Sequence, residues 1–188
     1  METSVQWFED SGAQHTDAVL QAARARADAL GLKQIVVASS TGRTALRAAE
    51  AFAGMDATVI GVTLSAACWE KYCPPDPALV RQAEAKGAKM LTATHTLMGN
   101  VGTAIREKFG GLPDADLIAY TLYLFSQGVK VAIEVVTMAA DAGLLQMDQD
   151  VIGIAGTDEG ADTALVVKPA YSTNLFDLKV REIIAMPR

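Results

Sequence analysis

At 188 residues, 51% of them hydrophobic, the chain has the size to build one sizeable core and is read as a single domain over residues 1–188. A formal net charge of −6 with no basic run argues against nucleic acid as a partner. The longest apolar stretch, Val129 to Ala140, contains Lys130 and Glu134 and falls short of the ~20 residues that cross a bilayer, so no membrane association is expected.

Residues Met1 to Trp7 lack a basic start followed by an apolar run, which makes a cytoplasmic protein the expectation. Thr16 or Asp17 caps a first helix that runs to about Leu30 and stops at Gly31. Gln34 to Ala38 reads as the first strand and Gly42 to Ala53 as the next helix, ended by Gly54. Thr58 to Leu64 reads as a second strand. Beyond Pro74, Pro75 and Pro77, Ala78 to Lys86 is helical and stops at Gly87, ahead of a third strand from Lys89 to Thr94. Gly102 to Lys108 and Asp114 to Leu144 are helical, the second broken near Gly128, since glycine weakens a helix interior. Asp150 to Ala155 and Ala164 to Val167 read as the fourth and fifth strands. Phe176 to Ala185 fits either a strand or a helix, and periodicity does not choose. Val- and Ile-rich strands alternating with Ala-rich helices define an α/β fold, a mostly parallel sheet with helices on both faces.

The turn Ser39-Ser40-Thr41-Gly42-Arg43-Thr44 leaves the first strand and opens a helix. Unpaired amides at a helix start, hydroxyls and one guanidinium are the groups that hold a phosphate. A plain capped turn accounts for the same residues except Arg43, whose two parallel donors suit a phosphate. Val37 and Arg43 stand where a Walker A loop needs glycine and lysine, and the glycines from Gly153 to Gly160 have the wrong intervals for a dinucleotide fingerprint. The second glycine-bearing turn, with Gly156, Thr157, Gly160 and Asp162, follows the fourth strand and is expected on the same sheet edge; a flexible hairpin between two strands is the competing reading.

His95, just past the third strand, is a candidate for binding or acid–base work, or a hydrogen-bonded structural group. Lys130 and Glu134 lie one helical turn apart, as an ion pair or as charges beside a ligand. Cys68 and Cys73, separated by Trp69 to Tyr72, match neither a CxxC redox pair nor a zinc site, and His15 and His95 give no metal spacing, so no metal is expected. No catalytic residue is assigned.

Val36 to Ala45 resembles the phosphate-holding loop of the pyruvate kinase C-terminal domain, and Val151 to Thr157 with the following glycine turn resembles that domain's second effector loop. Trp7-Phe8-Glu9, Thr94-His95, Lys108 to Gly111, Ser126-Gln127-Gly128, Met138 to Leu144, Gly160 to Leu165 and Arg181 to Arg188 are similar to patterns of stand-alone archaeal and bacterial proteins related to that domain. The resemblance implies a three-layer α/β/α sandwich and a phosphorylated small molecule, FMN first, at the strand carboxyl ends. Pyruvate kinase activity does not carry over, because that chemistry belongs to a barrel domain outside this chain.

The implied contacts are Ser39, Ser40, Thr41, Gly42, Arg43, Thr44, Thr63, His95, Lys130, Glu134, Gly156, Thr157, Gly160 and Asp162. Phe8, Trp69, Phe109 and Tyr171 are candidates for the flavin wall. A histidine expected after the second strand is missing from Val62-Thr63-Leu64-Ser65, which weakens a catalytic reading. A flavoprotein that binds without turnover is set against a flavin-dependent oxidoreductase using His95 and Lys130, and against a sugar-phosphate-binding regulatory or assembly module. In the last, Leu117 to Leu145 packs against a second copy as a homo-oligomer.

Overall fold

A computed structural model describes residues 3–188; Met1 and Glu2, where the N-terminal reading begins, lie outside the described residues. The strands are β1 (Gln6–Phe8), β2 (Gln34–Ala38), β3 (Thr58–Thr63), β4 (Lys89–Thr92), β5 (Val151–Ala155), β6 (Thr163–Lys168) and β7 (Lys179–Pro187). The α-helices are α1 (Thr16–Leu30), α2 (Arg43–Ala51), α3 (Pro77–Ala85), α4 (Val101–Phe109), α5 (Asp114–Tyr123) and α6 (Gln127–Asp141). One seven-stranded sheet carries them in the order β1-β7-β6-β5-β2-β3-β4. Only β6 runs against the rest: it is antiparallel to both β5 and β7, while every other neighbouring pair is parallel.

Both faces of the sheet are covered, which is why its central strands read as unbroken apolar runs. Side chains alternate between two cores. Ile35, Val37, Ile152, Ile154, Ala164 and Val166 pack with α1 and α2 on one face. Val36, Val151, Leu165 and Val167 pack with α6 on the other. From Gly128 to Ala140 every residue of α6 except Val131 is buried, because the helix lies between the sheet and α5.

Three departures from the sequence reading have identifiable physical causes. The segment expected as one helix broken at Gly128 is α5 and α6, parted at Leu124 to Ser126. The extended Ser126 caps α6 by accepting from the Val129 amide at 3.0 Å, and Gly128 sits in the first turn instead. β1, not predicted, spans three residues and exists because β7 pairs with it in parallel and Phe8 stacks on the His15 ring at 4.1 Å. The undecided tail is a short 3-10 segment, Ser172–Asp177, followed by strand β7.

Candidate functional site

β2 and β5 are parallel neighbours. The chain leaves β2 through α2 on one face of the sheet and enters β5 from α6 on the other, so the connections part between these two strands. In open α/β sheets the crevice at such a point, outside the strand carboxyl ends, is where ligands collect. The Ser39 to Thr44 turn leaves β2 there.

The turn is a shelf of backbone amides that is largely covered: Gly42 and Thr44 are buried, Ser40 and Thr41 half-buried, and Arg43 is exposed. Ser39 is buried and ties the turn down: its amide donates to the Val62 carbonyl at 2.8 Å and its Oγ accepts from the Ala45 amide at 2.9 Å. Gly42 takes φ 96°, a conformation that favours glycine, and a Cβ there would lie 3.1 Å from the Val80 amide nitrogen. The turn therefore rests on the first turn of α3, and the Asp76 amide donates to the Thr41 carbonyl at 3.0 Å. Asp76 itself caps α3 ahead of Pro77, a pairing the Asp-Pro dipeptide signals but the sequence reading did not connect to this turn. Among the described residues nothing accepts from the amides of Ser40, Thr41 and Thr44, and the exposed Arg43 side chain has no ion-pair partner. Three N–H groups without an acceptor among the described residues thus stand at the start of a nine-residue helix beside the Arg43 guanidinium, and donors of this kind attract anions.

Other predicted contacts face inward. Thr63 Oγ1 sits 3.0 Å from the Leu64 carbonyl oxygen, to which it donates, and 2.7 Å from Thr92 Oγ1. Asp162 is fully buried: Oδ2 accepts from the amides of Gly12 at 3.1 Å and Thr157 at 3.0 Å, and Oδ1 accepts from the Thr163 hydroxyl at 2.8 Å. Gly156 to Asp162 is a hairpin joining β5 to β6, closed by the Asp162 amide on the Ala155 carbonyl. A Cβ on Gly160 would lie 2.4 Å from Thr16 Oγ1, and one on Gly156 would lie 2.9 Å from the Ala161 Cα. Both glycines are thus required by the hairpin's packing on itself and on the start of α1.

His95, Lys130 and Glu134 form one connected network on the α6 side of the sheet. Lys130 and Glu134 are buried and paired at 2.5 Å, with the Lys130 ammonium 5.7 Å from the centre of the Tyr123 ring. Glu134 Oε1 accepts from the amides of Leu97 at 2.9 Å and Met98 at 3.0 Å. The Met98 carbonyl then accepts from His95 Nδ1 at 3.1 Å, and His95 Nε2 accepts from the Ser65 amide at 3.1 Å. Burial foremost, and also the Lys130 ammonium, hold the His95 pKa below its ordinary value, against an opposing pull from Glu134. Burial first and Glu134 second push the Tyr123 phenol up. Tyr123 was missed by the sequence reading, and no local pattern marks a ring that meets a lysine from the next helix.

Of the candidate wall aromatics, Trp69 follows β3 at the carboxyl edge, half-buried, with its indole N–H donating to the Leu64 carbonyl at 2.9 Å. Phe8 is buried beneath His15, and Phe109 is exposed at the end of α4. Tyr171 lies beyond β6, which runs in the opposite sense, and so sits at the other edge of the sheet. Two cavities lie away from the amide shelf: one of about 330 Å³ between α1 and α2, and one of about 260 Å³ at the amino edge beside Lys33, Lys89 and Gln146. Among the described residues, no helix is long and apolar enough to cross a membrane. A family model described as pyruvate kinase, alpha/beta domain, matches residues 17–167.

Proposed function

Because this chain belongs to the pyruvate kinase alpha/beta domain family, we propose that it binds a phosphorylated small molecule, FMN first among the candidates, with the phosphate on the Ser39 to Thr44 turn. One observation carries this reading: among the described residues the amides of Ser40, Thr41 and Thr44 have no acceptor and Arg43 has no ion-pair partner, at the point where the sheet connections part. A phosphate dianion satisfies all of these donors at once, and the α2 dipole adds to the attraction. Trp69, on the loop of the neighbouring strand β3, is the aromatic best placed for a flavin ring. Bound FMN brings one- and two-electron redox chemistry. The residues of this chain bind and orient; His95 and Lys130 have their polar atoms engaged with the protein and are assigned no proton transfer.

The test is a titration followed by flavin fluorescence, comparing FMN, riboflavin and inorganic phosphate as competitor. FMN binding that phosphate competes away and that riboflavin fails to match supports the reading. Arg43→Ala is expected to weaken FMN about tenfold, the value of one charge-assisted hydrogen bond of about 1.4 kcal/mol. Equal affinity of FMN and riboflavin, or no change in the variant, moves the ligand off this turn. If inorganic phosphate binds and FMN does not, the ligand is a smaller phosphorylated metabolite such as a sugar phosphate.

A further inference from the structure

The α4–α5 hairpin is the part of the molecule least covered by the rest. α4 has no buried residue. Val101, Ile105 and Phe109 recur once per turn along it and are 74%, 49% and 75% exposed, while Leu117 and Tyr120 on α5 and Leu124 just past its end form a second stripe at 55%, 49% and 84%. Arg106 on α4 is ion-paired with the fully buried Asp116 of α5, so the two stripes are tied together. A helix of nine residues is too short to be stable in water by itself, and none of the described residues buries any position of α4.

At these exposures the six residues together leave on the order of 700 Å² in water, most of it apolar. That exceeds the ~300–600 Å² of the largest patch on an ordinary monomer and approaches the ~800 Å² that each partner buries in a stable dimer. We infer that the α4–α5 hairpin is the contact face of a two-fold dimer of this chain. An isologous contact laying α4 antiparallel on its mate pairs Val101 with Phe109 about a central Ile105, large against small. The charges fit a second copy better than a lipid surface: residues 101–125 hold Arg106 and Lys108 against Glu107, Asp114 and Asp116, and anionic membranes draw in basic segments. This contact uses none of the turn residues and stands apart from the ligand reading. It keeps the first part of the expected Leu117 to Leu145 surface and leaves out α6, which is buried against the sheet.

Sedimentation equilibrium at micromolar concentration is expected to give twice the 19.8 kDa chain mass. Phe109→Glu is expected to halve that mass with circular dichroism unchanged, and Leu124→Glu to do so independently should the first disturb α4. Phe176→Glu, at an 82% exposed phenylalanine before β7, leaves the dimer intact. A wild-type monomer across the micromolar range, including one that floats with anionic vesicles, overturns the inference. So does a dimer that survives both hairpin variants.

Discussion

His95 is a residue that chemistry picks out and packing claims. The Ser65 amide occupies Nε2, so the proton sits on Nδ1 and points at the Met98 carbonyl. Its neutral form is favoured in the fold, where burial and then Lys130 hold its pKa below the ordinary 6.5. As pH falls, the unfolded chain therefore takes up a proton before the native one does. Stability is full above about 6.5 and is lost through the window beneath it. Thermal unfolding is expected to show Tm falling as the buffer goes from neutral to mildly acidic, with a shallower fall in His95→Asn; equal slopes in the two proteins sink this account. The sequence showed an imidazole past a strand end, and its partners came from two loops brought together by the sheet. The Ser39 to Thr44 turn was more legible, because unpaired amides are a consequence of a helix start itself.

At the scale of elements, α6 depends on the absence of one side chain. A Cβ on Gly128 would lie 2.1 Å from Thr163 Oγ1 and 2.7 Å from Asp162 Oδ1, so glycine lets the first turn of α6 close onto the start of β6. Gly128→Ala is expected to cost about 1–3 kcal/mol of stability, as overpacking does, despite alanine's better helix propensity. Chemical denaturation reads it, and a stabilised variant contradicts the close approach. Here the sequence reading placed a helix break because an isolated glycine weakens a helix. The break lies instead at Ser126, whose side chain caps α6. β2, β3 and β5 were legible to within a residue or so because both of their faces are buried and β-branched residues fill them. β1 was not, since three residues carry no period and its pairing partner lies at the far end of the chain.

At the scale of the whole molecule, the parting of connections between β2 and β5 brings helix starts and strand ends to one edge, and a ligand bound there stabilises only the folded chain. FMN at about a hundred times its dissociation constant is expected to add ~2.7 kcal/mol, or roughly 5–10 °C in Tm for a domain of this size, measured by thermal shift. An unchanged Tm under saturation argues against binding to the native fold. The α/β class, most element positions and the turn that opens the second helix are determined by the sequence alone, because apolar periodicity, caps and helix-start chemistry act over a few neighbouring residues. The tertiary structure decided the rest: the antiparallel place of β6, the inward roles of Asp162, Gly156 and Gly160, the network from Lys130 to Ser65, and the uncovered face of α4 and α5. Each of these depends on which distant residue stands opposite, and that is set by packing, to which local spacing is blind.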